Sequence, residues 1–137
     1  MEQLADYARA RDVDYVVSAE ARGFVLGGAV AASIGAGFIV ARKPGKLPRD
    51  TTSVEYELEY GIDALEVHSD CLRDGGRVLV HDDLLATGGT AGALCGLVER
   101  AGAEVAGCAF LVELAFLGGR ARLAPHDVRS LVVYEQG

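Results

Sequence analysis

The 137-residue sequence has few cysteines and a deficit of basic residues, and each shortage excludes a class of protein. Its three cysteines, Cys71, Cys95 and Cys108, are odd in number and lack metal-site spacing, which argues against a disulfide framework or a metal cluster. Reduced thiols in a cytoplasmic protein are the simplest interpretation. Lysine and arginine total 13 against 20 acidic residues, and a net charge of −7 argues against a general nucleic-acid binder.

Long hydrophobic runs are also missing, although half of the residues are hydrophobic. No uninterrupted apolar run is long enough to span a bilayer. The first twelve residues, MEQLADYARARD, lack the basic region and apolar core of a secretory signal. We therefore expect a cytoplasmic chain that does not enter the membrane and that folds as a single domain over residues 1–137.

One stretch of the sequence, RVLVHDDLLATGGT at 77–90, combines the parts of a ligand site. The apolar run 78–80 suits a buried strand of a parallel sheet, and such sheets bind ligands at the carboxyl ends of their strands. Asp82 and Asp83 follow, and carboxylates suit ribose hydroxyls or a magnesium ion. The backbone N–H groups and hydroxyls of 87–90, at the start of a helix, suit a phosphate. The pattern predicts a site for a phosphorylated sugar.

The remaining patterns predict an α/β fold in which strands alternate with helices and a hairpin interrupts the series. The first strand, helix and second strand should form a right-handed parallel crossover. We expect the hairpin to protrude as a lid and the last strand to lie at the sheet edge. The expected strands are 13–18, 38–41, 53–60, 64–68, 77–81, 107–112 and 128–134, and the expected helices are 1–12, 24–34, 91–101 and 116–123.

Two further segments could hold an anion, and each has a plainer alternative. Arg22 lies in the turn after the first strand and is a planar cation suited to phosphate, but it could equally pair with Glu20 on the surface. The segment ARKPGKLP at 41–48 concentrates positive charge in an acidic chain, although most such clusters are solvated linkers. In the alternating strand 53–60, composition alone does not distinguish one glutamate from another.

The string DDLLATGGT resembles the phosphoribosyl-diphosphate motif of the type I phosphoribosyltransferases, and looks most like their adenine branch. The segments EARGF, RKPGKLP, YELEYG and VELAFLGGRARLAP are similar to the family's diphosphate loop, basic segment, catalytic loop and carboxyl-terminal segment. The resemblance covers nearly the whole chain. It implies the type I phosphoribosyltransferase fold, a mainly parallel twisted sheet flanked by helices, with a protruding flexible hairpin.

The resemblance also implies an activity, namely the conversion of adenine and phosphoribosyl diphosphate to AMP and diphosphate in purine salvage. It implies Mg²⁺ as cofactor and a homodimer as the assembly. The implied catalytic residues are Glu59 as acid/base, with Asp82 and Asp83 under the ribose and in weak or indirect contact with the metal. The implied substrate-binding residues are Arg22, Arg42, Lys43 and Lys46 for diphosphate, Tyr60 as cover, and Ala86, Thr87, Gly88, Gly89 and Thr90 for the 5′-phosphate.

Two departures from the family pattern keep other interpretations open. His81 stands where a branched apolar residue is usual, and we interpret it as a strand-end substitution facing a neighbouring layer rather than as a catalytic group. The family's amino-terminal hood over the base has no counterpart before residue 12. The alternatives are a phosphoribosyltransferase for xanthine, hypoxanthine or orotate, a non-catalytic regulator that binds the sugar diphosphate, and a generic nucleotide-binding domain.

Overall fold

The computed structural model describes residues 1–19, 23–43, 51–58, 61–68 and 71–136. Helices and strands alternate along most of the chain, as the sequence predicts. In order they are α1 (Glu2–Ala10), β1 (Tyr15–Ala19), α2 (Gly23–Ile34), β2 (Gly37–Ala41), β3 (Thr51–Leu58), β4 (Gly61–His68), β5 (Arg77–Leu85), α3 (Gly89–Arg100), β6 (Glu104–Leu114), a 3₁₀ turn (Ala115–Leu117), α4 (Gly119–Arg122) and β7 (Val128–Tyr134).

Five of the strands form one sheet in the order β2-β1-β5-β6-β7, and every pairing in it is parallel. The carboxyl ends of all five strands therefore lie along one edge. The predicted α/β class with a mainly parallel sheet is confirmed, and so is the edge position of β7. Because ligands bind at this edge in such sheets, the fold directs attention to the residues that end β1, β2 and β5.

Helices cover both faces of the sheet, and each face has its own apolar cluster. On one face α1 and α2 pack against β1 and β5 through Leu4, Val30 and Leu79. On the other face α3 packs against the sheet, and the predicted burial of Leu94, Leu97 and Val98 is confirmed. Each fully buried leucine or valine contributes about 1.5–3 kcal/mol, so these two clusters hold the sheet edge in place.

Strand β5 is longer than the sequence predicts, and this changes where the two acids lie. The strand continues to Leu85, so Asp82 and Asp83 are inside it rather than after its end. The extension is stabilised by β6, which itself reaches Leu114 and pairs with β5 as far as Leu85 and Glu113. The short helix expected at 116–123 is also divided, because Gly118 takes a left-handed conformation with φ 72° between the 3₁₀ turn and α4.

The predicted antiparallel hairpin is confirmed in β3 and β4, but its base does not protrude. Leu65 and Val67 are 2% and 1% exposed and belong to the α3-side core. Backbone hydrogen bonds also join Arg42 to Glu66, with N···O distances of 2.9 and 2.8 Å. The alternating apolar side chains of β4 thus anchor the hairpin on the domain. The described structure does not test the side-chain faces expected for β3. The hairpin tip at 59–60 lies outside the described residues.

The described residues also show the state of the cysteines and the character of the helices. All three cysteines are free thiols, and the sulfur atoms of Cys95 and Cys108 lie 3.7 Å apart in the core. None of the described helices combines the length and the apolar character needed to cross a bilayer.

Candidate active site

The sheet splits between β1 and β5, at the edge where ligands are expected. Pairing between these two strands ends at Val17 and Val80. On either side pairing continues further, to Ala19 with β2 and to Leu85 with β6. The chain continues from β1 to β2 on one side and from β5 to β6 on the other side. Open α/β sheets form a ligand crevice at such a switch point. The crevice therefore opens beside the acidic pair.

Asp82 and Asp83 lie half-buried at this crevice and are held against the start of α2. The backbone N–H of Asp83 donates a hydrogen bond of 2.8 Å to Oδ1 of Asp82. Gly23, the first residue of α2, is so close that a Cβ there would lie 3.1 Å from the same carboxylate oxygen. The sequence alone did not predict this contact. It places the residue that follows Arg22 against the acidic pair.

The segment between β5 and α3 forms a small cradle of backbone groups. Gly88 has φ 87°, a left-handed conformation that favours glycine, and it is the N-cap of α3 with no capping side chain in the described structure. The first N–H groups of a helix have no partner within the helix, so here they are available to an anion. The cavity has a volume of about 130 Å³ and is lined by Asp82, Leu84, Leu85, Ala86, Thr87, Gly88, Gly89, Thr90 and Ala91.

A second glycine, Gly119 at the start of α4, supports this cradle from behind. A Cβ at Gly119 would lie 2.5 Å from the carbonyl oxygen of Ala86 and 3.1 Å from the nitrogen of Gly88. A Cβ at Gly88 would likewise lie 2.9 Å from the carbonyl oxygen of Gly119. The two backbones touch, so the loop shape depends on the position of α4. The glycine pair in FLGGRARL is the sequence feature that allows this close approach of two backbones. The sequence does not show that the other backbone is the loop at 86–88.

The structure describes only two of the predicted basic and lid residues, Arg42 and Lys43. Arg42 and Lys43 directly follow β2, so they lie at the same sheet edge as the acidic pair. Arg42 also joins β4 through its backbone. The predictions for Arg22, Lys46, Glu59 and Tyr60 fall on residues outside the described ranges and stay predictions. The structure thus places the acidic pair, the backbone cradle at 86–90 and the end of β2 along the same edge of the sheet.

His81 lies beside the acids but belongs to the core. It is 1% exposed, and its Nδ1 donates a hydrogen bond of 2.9 Å to the carbonyl oxygen of Ala109. Burial lowers the pKa of its imidazole, which favours the neutral form, and Nε2 has no hydrogen-bond partner among the described residues. A Cβ on Gly27 of α2 would lie 3.3 Å from its Cδ2. His81 therefore faces the helix layer, as the sequence interpretation expected.

Comparison with known proteins agrees with this geometry. The family described as "Phosphoribosyl transferase domain" matches residues 1–132. The chain belongs to the phosphoribosyltransferase family. It is 61% identical to the adenine phosphoribosyltransferase of Rubrobacter xylanophilus over 135 residues, which span 98% of this chain and 73% of that protein. The resemblance to the adenine branch of phosphoribosyltransferases is thereby confirmed.

Solved phosphoribosyltransferase structures also match the fold. The adenine phosphoribosyltransferase of Thermoanaerobacter pseudethanolicus is 50% identical with a TM-score of 0.94, covering 97% of this chain and 77% of its own. The Saccharomyces cerevisiae enzyme is 38% identical with a TM-score of 0.87, covering 95% and 78%. It was solved with D-2,5-dideoxy-2,5-imino-altritol 1,6-bisphosphate and adenine. The type I phosphoribosyltransferase fold expected from the sequence is thereby confirmed.

Proposed function

We propose that this phosphoribosyltransferase converts adenine and phosphoribosyl diphosphate to AMP and diphosphate, as a pentosyltransferase of purine salvage. The single observation that carries the proposal is the split between β1 and β5, which sets Asp82 and Asp83 beside the backbone cradle at 86–90. A sugar phosphate fits this arrangement, with its phosphate in the cradle and its ring over the acids. The S. cerevisiae relative, which binds an imino sugar bisphosphate together with adenine, supports the choice of base.

The cradle would hold the 5′-phosphate of the donor. Its contacts are the backbone N–H groups at the start of α3 and the hydroxyls of Thr87 and Thr90, all of which suit an anion. Gly88 allows the backbone to approach the ligand closely. The carboxylates of Asp82 and Asp83 cannot attract the phosphate, since like charges repel. They instead suit the ribose hydroxyls, and their charge favours the positive charge that develops on the ribose as its bond to diphosphate breaks.

The departing diphosphate would be held by the cations at the same edge of the sheet. Arg42 and Lys43 are placed there by the end of β2, and the resemblance assigns Arg22 and Lys46 to the same task. Glu59 would handle a proton of the purine ring, and Tyr60 would cover the site, also by resemblance. Closure over the site would exclude water, which competes with the base for the donor.

Magnesium fits the site as an ion carried by the substrate. In the described residues no group of three or more histidine, cysteine or acidic side chains could hold a metal ion. Mg²⁺ usually binds one or two carboxylates together with substrate phosphates, and Asp82 and Asp83 could supply such carboxylates. When bound, the ion would neutralise charge on the leaving diphosphate. The proposal also includes a homodimer and a cytoplasmic location, which the family resemblance implies.

Removing the charges of the acidic pair tests this proposal. We expect Asp82→Asn combined with Asp83→Asn to lower adenine-dependent release of diphosphate by about 10³-fold or more, because charge stabilisation at the ribose is lost. Circular dichroism should show that the double variant keeps the wild-type fold. Turnover equal to that of the wild type would show that the reaction does not use this pair.

A further inference from the structure

An ion pair between buried Glu113 and half-exposed Arg120 lies behind the cradle, at the carboxyl end of β6. Glu113 is 3% exposed although it is charged. Its Oε1 accepts hydrogen bonds from Nη2 of Arg120 at 2.7 Å and from the hydroxyl of Ser130 at 2.8 Å, and its Oε2 accepts one from Nε of Arg120 at 3.3 Å. A buried carboxylate is costly unless it is fully paired, so this geometry favours one fixed position for Arg120.

Arg120 fixes α4 against two strands at once. Besides its two contacts with Glu113 in β6, its Nη1 donates a hydrogen bond of 2.9 Å to the carbonyl oxygen of Val128 at the start of β7. Leu123, just after α4, is 1% exposed and packs in the α3-side core. A helix of four residues makes few hydrogen bonds of its own, so its position depends on these tertiary contacts.

Helix α4 is in direct contact with the cradle loop. Gly119 precedes Arg120 and contacts the backbone at Ala86 and Gly88, as described above. On the strand side, Glu113 pairs in register with Leu85, the last residue of β5 before the loop. The described residues that line the cradle cavity do not include Glu113 or Arg120. The contacts that link the pair to this cavity therefore run through α4 and the loop.

We propose that Glu113 and Arg120 are positioning residues, which set the shape of the cradle for the 5′-phosphate by holding Gly119 behind Gly88. This inference rests on the proposed function of the cradle. It predicts that the ion pair controls affinity for the phosphorylated donor more than it controls the chemical step, because the pair supports the loop through Gly119, whereas Asp82 is held in β5 by its pairing with Phe110 of β6.

Kinetics of Glu113→Gln and Arg120→Ala test the proposal. We expect the Michaelis constant for phosphoribosyl diphosphate to rise about tenfold, because a small displacement of a binding loop weakens every contact it makes. The value of kcat and the Michaelis constant for adenine should change by less than about threefold. If the ion pair only stabilised the fold, loss of active protein would lower the apparent kcat and leave the Michaelis constant unchanged, which would contradict the proposal.

Two matched controls separate positioning from other causes. Arg122→Ala removes another arginine of α4, whose Cβ lies 3.3 Å from the position of a Cβ on Gly88, without disturbing Glu113. If it raised the Michaelis constant as much as Arg120→Ala, the effect would be one of charge and the proposal would be wrong. Gly119→Ala should reproduce the defect by pushing the loop, whereas Gly92→Ala, which has nothing within 4 Å of a new Cβ, should bind the donor like the wild type.

Hydrogen exchange without any substrate makes the test independent of the proposed reaction. Backbone amides of 86–91 should exchange faster in Glu113→Gln than in the wild type and in Gly92→Ala, because the loop loses its support. Unchanged exchange in that segment would overturn the positioning role even in an active enzyme. A wild-type protein that fails to turn over the donor would instead overturn the proposed function, while the exchange data would still decide the role of Glu113.

Discussion

At the scale of single residues, the two neighbours His81 and Asp82 show how position within a strand decides chemistry. Asp82 lines the cavity at the start of α3, whereas His81 is buried against Gly27 of α2. Both are polar and adjacent in sequence, yet alternate side chains of a strand point to opposite faces. Only the acid is therefore placed to meet a ligand. Burial lowers the pKa of the histidine and favours its neutral form, whereas the hydrogen bond to Ala109 acts in the opposite direction and only partly offsets the effect of burial.

This difference predicts the behaviour of His81→Leu. We expect kcat to stay within about threefold of the wild type, because the side chain provides less than about 0.7 kcal/mol of transition-state stabilisation. The fold should persist, since an apolar residue of similar size replaces a ring whose Nε2 has no partner among the described residues. Steady-state kinetics at saturating substrate provide the measurement. A hundredfold loss of kcat with an unchanged melting temperature would assign His81 a catalytic role.

At the scale of elements, α4 and the ends of β5 and β6 form a unit around Glu113. The hydrogen bonds from Arg120, and then that from Ser130, hold the pKa of Glu113 below its ordinary value of 4.5. A carboxyl group with a lowered pKa in the folded state stabilises the fold above its unfolded pKa. That contribution is lost as the pH falls through the folded pKa.

The direction of this pKa shift predicts how the stability of Glu113→Gln, relative to the wild type, changes with pH. At pH 7 the variant should unfold with a free energy about 1–2 kcal/mol lower than the wild type, a modest value because Arg120 is half exposed. The gap should narrow as the pH falls below 4.5, because the wild-type carboxylate becomes protonated there. Urea unfolding of both proteins between pH 3 and pH 7 measures the gap. A gap that widened in acid would contradict the assigned ion pair.

The element scale also shows what sequence reasoning could and could not supply. Periodicity and resemblance predicted the order of elements, the hairpin and the edge strand, because these depend on local patterns. They placed Asp82 and Asp83 after β5 rather than inside it, because the strand is extended by pairing with β6, which is a tertiary effect. The burial of Glu113 was equally hidden, since nothing local distinguishes a buried glutamate from a solvated one.

At the scale of the whole molecule, the fold places carboxylates, basic side chains and backbone N–H groups at one edge of the sheet. An acidic chain of net charge −7 would repel an anionic donor, so local donors must hold it. The cradle at the start of α3 and the cations after β2 lie at the same edge of the sheet as the splayed end of β5. Under the proposed function this arrangement would separate the tasks of the site, because backbone groups would hold the phosphate and carboxylates would hold the ribose.

The proposed function depends on which base the protein accepts, and a turnover assay with several bases measures this choice. Labelled phosphoribosyl diphosphate should be incubated with the protein, Mg²⁺ and, in parallel, adenine, hypoxanthine, xanthine or orotate. We predict that adenine is converted to AMP with a kcat/KM at least about 10²-fold above that of each other base, since a polar pocket discriminates strongly against the wrong hydrogen-bonding pattern. Preference for another base, or donor binding without turnover of any base, would contradict the account.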